Sequence, residues 1–327
     1  MRAWKVDELG EPAAVLHEAD AAAPEPGPGD VGIDVAAAGL NFPDVLMCRG
    51  EYQVRPELPF TPGSEVAGTI SAVGDGVEGF RIGDRVLAIP QFGHGSFADR
   101  TVASAATTYP IPDELDWAAA ASMHITYQTG HLALHHRARL RPDETLLVHA
   151  GAGGVGSAAI QLGLAAGARV FATAGGPEKV EICRKLGADP VIDYRSEDFV
   201  EVVKAATDGR GVDVVYDPVG GDTFDRSRKC IAWEGRILVI GFTSGRIPDA
   251  PANHVLIKNY AVVGVHWGMY NLLDPERVRR THDELVRLAL AGKIAPLVSE
   301  EIRGAELPDA LDRLASRRTW GKVVWRP

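Results

Sequence analysis

The stretch that most limits what this chain can fold into is Thr145 to Ala166, TLLVHAGAGGVGSAAIQLGLAA. A short apolar run, Leu146-Leu147-Val148, leads into Gly151-Ala152-Gly153-Gly154-Val155-Gly156, and an alanine-rich helical pattern follows. This is G-x-G-x-x-G between a predicted strand and a predicted helix, with a second predicted strand over Arg169–Thr173. Each glycine has a physical task. Gly151 permits the tight turn, Gly153 lets the backbone approach a pyrophosphate, and Gly156 lets helix and strand pack closely. The free N–H groups and positive dipole end of the helix favour anionic phosphates. The order strand, glycines, helix, strand predicts a dinucleotide site. Leu146 to Ala168 also lacks Asp, Glu, Lys and Arg and is long enough to cross a bilayer. Its glycines divide it into strand, turn and helix, so no membrane span is expected.

The second strand sets the nucleotide preference. NAD sites place a carboxylate about 20 residues on, against the ribose 2′-OH. Here the strand ends Ala172-Thr173-Ala174-Gly175-Gly176, with no acid. Ala174 and Gly175 leave room for a 2′-phosphate, and Lys179 and Tyr194 are placed to contact it, with Arg195 next in sequence. Glu178 is the one opposing charge. The balance favours NADPH over NADH.

At 327 residues the chain suits two domains. A net charge of −10 argues against nucleic acid or an anionic membrane surface as partner. Cys48, Cys183 and Cys230 are far apart, which suggests a reducing cytoplasm and no disulfide framework. The start, Met1-Arg2-Ala3-Trp4-Lys5, has no apolar core of a signal peptide.

Residues 1 to about 115 read as short β elements punctuated by turns: Val31–Val35, Gly63–Ile70 and Asp84–Ala88, with Gly74-Asp75-Gly76 and Gly83-Asp84 between them. Many short strands with regular turns suggest a β-barrel domain. From Trp117 helices alternate with strands at Arg169–Thr173, Val191–Asp193, Val212–Tyr216, Arg236–Ile240 and Val262–Val265. That rhythm predicts a doubly wound parallel sheet, an α/β fold. Pro275–Ala291 reads as an amphipathic helix, and a helix at Pro308–Ala315 and strand at Lys322–Trp325 end the chain. The expected division is 1–117 with 266–327, and 118–265.

Several segments together resemble the zinc-independent quinone oxidoreductases of the medium-chain dehydrogenase/reductase superfamily. They are Ala38-Gly39-Leu40-Asn41-Phe42-Pro43-Asp44, Arg49-Gly50-Glu51-Tyr52, Pro62–Gly68, Gly83–Val86, Gly153–Gly156, Leu186–Asp189, Val212–Asp217 and Thr319-Trp320-Gly321-Lys322-Val323-Val324. The resemblance spans nearly the whole chain. It implies a GroES-like β-barrel domain, a Rossmann domain, NADPH and a homodimer. It further implies that Asn41, Tyr52 and Thr126 line the nicotinamide cleft. Gly151, Gly153, Gly154, Val155, Gly156, Ala174, Gly175, Lys179, Tyr194, Phe242, Ser244 and Lys322 complete the expected cofactor contacts.

No metal is expected. Zinc members of that superfamily carry a cysteine, and then Gly-His-Glu, around the ion. Here those segments read Leu40-Asn41-Phe42 and Gly63-Ser64-Glu65. Catalytic zinc typically needs three protein ligands and structural zinc four. His131 and His135 are spaced for chelation on a helix, with His136 beside them, but no third ligand is apparent and they read as surface histidines. His149 reads as a packed or hydrogen-bonded residue.

Without a metal, the nicotinamide supplies hydride and the protein supplies orientation and electrostatics. Tyr52 is the candidate proton donor to a developing oxyanion, and Asn41 the candidate for orienting cofactor or substrate. Some family members have a tyrosine six residues before Tyr52; Leu46 stands there, giving a more apolar wall. The expected activity is NADPH-dependent quinone reduction. The rival enzyme reduces the C=C bond of an enal, enone or 2-enoyl thioester. A coenzyme A thioester would need basic residues such as Arg49, Arg55 and Arg100 to gather. A third possibility is a non-catalytic NADPH-binding structural or RNA-binding protein.

Overall fold

A computed structural model describes residues 1–327. The chain divides into two compact units, Met1–Ile125 with Pro296–Pro327, and Thr126–Ala295.

The first unit is built on strands. β1 (Arg2–Val6) and β2 (Leu16–Asp20) form an antiparallel pair. β3 (Asp30–Gly39), β4 (Val66–Val73), β5 (Arg85–Pro90) and β6 (Arg100–Pro110) pair successively and antiparallel. β6 returns to pair with β3, opposing Val31 to Ala103 while β4 opposes Val31 to Val73, so the four strands close on themselves. Closure removes the exposed edges that an open sheet of this size would present. Val31, Ile33, Val66, Ile70, Val86 and Phe97 fill the interior. The strand predicted from Gly63 begins only at Val66. Gly63 takes φ +113°, and a Cβ there would meet Ser96, so a left-handed turn precedes the ladder.

The second unit is a six-stranded sheet of β7 (Thr145–Val148), β8 (Arg169–Ala174), β9 (Val191–Asp193), β10 (Val212–Asp217), β11 (Ile231–Val239) and β12 (Ala261–Gly264). Its order is β12-β11-β10-β7-β8-β9, with every pairing parallel. The chain runs outward from β7 to β9, then restarts at β10 on the other side of β7. The order therefore reverses at the carboxyl ends of β7 and β10, where open α/β sheets bind ligands. Leu146, Leu147, Val214 and Val215 are fully buried, as parallel strands covered on both faces require. β11 begins five residues before the predicted Arg236, because helix Gly221–Cys230 ends where the strand starts.

The final strands β13 (Val298–Arg303) and β14 (Lys322–Arg326) are parallel to each other. β14 joins the first unit through β3, opposing Val324 to Gly39 and Trp325 to Ala38. The return to this unit therefore falls at Pro296 rather than at 266. The segment between belongs to the second unit for identifiable reasons. Helix Pro275–Leu290 buries Val278, Thr281, His282 and Leu285, and Gln128 Nε2 donates to the Val278 carbonyl at 2.9 Å. Tyr127 Oη donates to Ala295 O at 3.0 Å while accepting from Gln161 Nε2 at 2.9 Å. Ala295 N donates to Gln161 Oε1 at 2.6 Å. The earlier boundary moves as well, from 117 to Ile125, inside helix Trp117–His131. No helix is long and apolar enough to cross a membrane.

Candidate functional site

In the second unit the glycine-rich turn joins β7 to helix Gly154–Ala165, with Gly153 as N-cap. The left-handed residue of the turn is Ala150, at φ +50°. Gly151 is therefore required by packing rather than by the turn. A Cβ on it would lie 2.9 Å from Cys183 Sγ, 3.0 Å from Ala172 Cβ and 3.1 Å from Ile160 Cδ1. At Gly156 a Cβ would lie 2.2 Å from Ala150 O, the close helix–turn approach expected of the third glycine. Gly153 is the least crowded, with only Ala150 O at 3.3 Å. Gly153, Gly154 and Val155 are half-exposed, and the first helical N–H groups have no partner within the helix. The strained non-glycine residue sits where a functional turn often stores strain.

At the end of β8, Ala174, Gly175 and Gly176 are buried. A Cβ on Gly175 would lie 2.4 Å from the Tyr194 hydroxyl, so the tyrosine ring covers that glycine. Tyr194 is 52% exposed, which leaves its other face open. A Cβ on Gly176 would lie 3.1 Å from an Arg195 guanidinium nitrogen. The Asp193 carboxylate is taken up by backbone N–H groups at this turn. Its Oδ1 accepts from Gly176 N and Arg195 N, both at 3.0 Å. Those bonds hold its carboxyl below the usual range. Lys179 is half-buried; desolvation, and then the Arg195 charge, pull its pKa down, while Glu178 opposes the shift. Tyr194 and Arg195 thus lie against Gly175 and Gly176, and the Arg195 charge reaches Lys179. Arg195, absent from the expected contacts, stands at the same turn, two residues after β9.

Further along the sheet, Thr243 N and Thr243 Oγ1 donate to Pro218 O at 3.1 and 3.0 Å. This packs loop 242–246 on Pro218–Gly221 at the ends of β10 and β11. Phe242 is 38% exposed and Ser244 is exposed. His149 is buried, with Nδ1 3.0 Å from Thr173 Oγ1 and Nε2 2.8 Å from Ser227 Oγ. Burial pushes its pKa down to about 3, so it is a neutral hydrogen-bonded residue, as its position suggested. Thr126 is also buried.

In the first unit the substrate-side candidates surround helix Phe42–Arg49. Asn41 is its N-cap residue, in extended backbone, and Asp44 Oδ2 reaches back to accept Asn41 N at 2.8 Å. Gly50 ends the helix at φ +70°, and Tyr52 N donates to Leu46 O at 3.2 Å, which fixes where Tyr52 emerges. Tyr52 is half-buried. Burial, then the Asp44 charge, raise its pKa, so its hydroxyl keeps its proton at neutral pH. Asp44 is fully buried and pushed up to about 6 by desolvation, although Ser64 and Asn41 N bond to it.

Lys322, an expected cofactor contact, is held within its own unit. It is only 4% exposed. Its Nζ donates to Leu40 O at 2.8 Å, Asn41 Oδ1 at 2.7 Å and Glu65 Oε2 at 3.0 Å. An ammonium has three protons, and all three are used. The histidine cluster departs from expectation. His131 and His135 are half-buried rather than on the surface, with ring centroids 4.4 Å apart; only His136 is exposed. Burial pushes His131 down to about 4 and also lowers His135. No group of three or more His, Cys, Asp or Glu side chains is arranged to hold a metal ion.

Residues 27–113 match the family described as alcohol dehydrogenase GroES-like domain, and residues 154–287 the family described as zinc-binding dehydrogenase. A quinone oxidoreductase-like protein 2 homolog of Nematostella vectensis is 38% identical over 325 residues, 99% of this chain and 88% of the relative. The crystal structure of Escherichia coli quinone oxidoreductase complexed with NADPH superposes with a TM-score of 0.93 at 30% identity, covering 100% of each chain. The crystal structure of CurK enoyl reductase superposes with a TM-score of 0.88, also at 30% identity, covering 99% of this chain and 98% of that one.

Proposed function

We infer the reaction from the family to which this chain belongs, the quinone oxidoreductases of the medium-chain dehydrogenase/reductase superfamily: it is an NADPH-dependent, zinc-independent reductase that passes hydride to a quinone. The observation that carries this is the satisfied polar network of the first unit. Glu65, Asn41 and Asp44 already accept from Lys322, Ile125 N, Asn41 and Ser64. The ligand-type side chains are thus engaged with one another, and Tyr52 remains as a neutral hydroxyl. A quinone suits such a site, because it accepts hydride without a metal electrophile.

The residues of the second unit fit NADPH. Gly153 leaves space where a pyrophosphate approaches, and in this reading Lys179, Tyr194 and Arg195 meet the 2′-phosphate, with Glu178 the one opposing charge. When bound, the nicotinamide supplies the hydride. The chain's own contributions are to bind phosphates on the helix N-terminus, to orient through Asn41, and to donate a proton from Tyr52 Oη as the hydroquinone anion forms. Phe242, Ser244 and Thr126 complete the cofactor contacts in this reading.

Reduction of an enone or 2-enoyl thioester is the second reading, favoured by the enoyl reductase likeness. Against a coenzyme A thioester, Arg49 is paired with Glu11 and Arg100 with Asp34, each at 2.7 Å, so these cations are engaged separately. NADPH oxidation measured across ortho-quinones, para-quinones, enals and enoyl thioesters, with and without chelator, tests both readings. Turnover of quinones that survives chelation is expected. Turnover of thioesters alone, or loss on chelation with stoichiometric zinc by elemental analysis, refutes the quinone assignment or the zinc independence respectively.

The proposal extends to a cytoplasmic homodimer. The three thiols are buried and unpaired, which suits a reducing compartment. β12 pairs only with β11, and Leu256 and Ile257 nearby are 80% and 73% exposed. An open edge beside exposed apolar side chains favours a second copy. Light scattering that returns a monomer mass at micromolar concentration rules it out.

A further inference from the structure

The polar network around Asn41 does more than keep charges paired. Asn41 Nδ2 donates to Gly39 O at 3.0 Å and to Glu65 Oε2 at 3.1 Å, which uses both amide protons. Its Oδ1 accepts from Lys322 Nζ at 2.7 Å. An amide oxygen has two lone pairs, so one acceptor position remains. The side chain is 6% exposed, and Glu65 and Lys322 are 0% and 4%, so water does not compete for these bonds. Glu65 Oε1, the other oxygen, accepts Ile125 N at 3.0 Å, within helix Trp117–His131. A Cβ on Gly39 would lie 2.0 Å from Ala121 O, one turn earlier in the same helix. One carboxylate therefore fixes both Asn41 and the helical turn that ends at Ile125.

We propose that Glu65 and Lys322 are a positioning pair. They lock the Asn41 amide with its oxygen toward the bound molecule, so that Asn41 is an acceptor there and never a donor. Asn41 then takes a hydrogen bond from an N–H or O–H of cofactor or substrate and does not stabilise an oxyanion. That task is left to Tyr52. Lys322 acts through Asn41 and touches neither ligand. The inference rests on the placement of Asn41 at the reacting groups given above.

The pairing also dictates how the lock is reversed. Lys322→Met alone leaves a buried carboxylate without its cation, and such a protein is expected to fold poorly. In Lys322→Met/Glu65→Gln no charge is stranded. The oxygen of the introduced glutamine side chain still accepts Ile125 N, but its amide nitrogen now donates toward Asn41. Asn41 must turn its oxygen inward to meet it and present N–H outward. A donor then faces a donor, and a roughly 10- to 100-fold loss of kcat/KM is expected, while the thermal midpoint recovers most of what the single variant loses. A purely structural pair gives the opposite result, with recovery of the midpoint and of kcat/KM together, and that result overturns the proposal. NADPH binding to the unaltered protein, followed by nicotinamide fluorescence, is the control. Its failure rejects the cofactor reading itself. A measurement that needs no variant uses selectively 15N-labelled asparagine. Both Asn41 side-chain protons are expected to exchange slowly with solvent before and after NADPH addition. Fast exchange of either proton in the free protein shows that the amide is not locked and overturns the proposal.

Discussion

Gly153 and Gly156 stand three residues apart in one motif, yet the structure gives them separable duties, and alanine at each tests this. At Gly156 a methyl group would lie 2.2 Å from Ala150 O, 2.9 Å from Ala150 C and 2.9 Å from Gly151 Cα. The first is more than 1 Å inside comfortable contact, roughly speaking, and all three neighbours are backbone, so no side chain can swing aside. Overpacking of this kind costs about 1–3 kcal/mol and occasionally more. In a unit of this size that lowers the thermal midpoint by roughly 2–4 °C per kcal/mol, or about 6–12 °C for a cost near 3. At Gly153 the one close neighbour is Ala150 O at 3.3 Å, and the backbone (φ −82°, ψ 172°) is open to any residue. Alanine there costs less than about 1 kcal/mol, chiefly as a poorer N-cap. In the proposed cofactor site, however, its methyl group would stand where a pyrophosphate approaches. Loss of one charge-assisted bond weakens NADPH by about 10- to 150-fold. The assay is differential scanning calorimetry beside NADPH fluorescence titration for both variants. An unchanged midpoint for Gly156→Ala, or unchanged NADPH affinity for Gly153→Ala, refutes the division of labour.

Lys179→Ala and Arg195→Ala are each expected to weaken NADPH by about 10-fold or more and to leave NADH nearly unaffected; equal losses for both cofactors in a titration exclude a 2′-phosphate contact. Tyr52→Phe keeps the ring and removes the donor. A preorganised dry donor is worth up to about 2.7–4 kcal/mol, and a quinone needs less help than an enone, so kcat falls modestly with quinones and more with any enone turned over. Unchanged kcat with both acceptors removes Tyr52 from the chemistry. Asp44 titrates in the fold near pH 6 against an ordinary 3.8, so its burial costs nothing below pH about 4 and progressively more as pH rises through 6. Asp44→Asn should therefore gain on the unaltered protein by up to about 3 kcal/mol between pH 4 and pH 8; a pH-independent difference in urea unfolding disproves the shift.

Much of the second unit was legible because its signals are local. β7, β8, β9 and β10 could be read from short apolar runs, and the glycine-rich turn from spacing alone. What lay out of reach depends on long-range contacts. The amphipathic pattern of Pro275–Leu290 shows one buried face but not what that face meets. The bonds from Gln128 and Tyr127 that hold this region are 150 and 168 residues long in sequence. The bonds that engage the Lys322 ammonium reach partners 257 to 282 residues away in sequence, which no local pattern signals. The left-handed residue of the glycine-rich turn was likewise hidden. Alanine gives no warning of a positive φ, and only the geometry shows that Ala150 takes it.

The Lys322 contacts also impose a timetable on synthesis. Asn41 and Glu65 leave the ribosome early, but the cation that neutralises Glu65 is encoded 257 residues later. At about 5–20 residues per second, the nascent chain carries that carboxylate for roughly a quarter of a minute to a minute before its partner exists. Through that interval hydration is the better environment for Glu65, and β3 waits for the β14 strand that will carry both the cation and Val323 O, the acceptor for Leu40 N. The second unit is meanwhile complete in sequence and free to fold first. A chain that stops short of residue 322 would thus hold a finished parallel sheet and a barrel whose buried acid has no counter-charge.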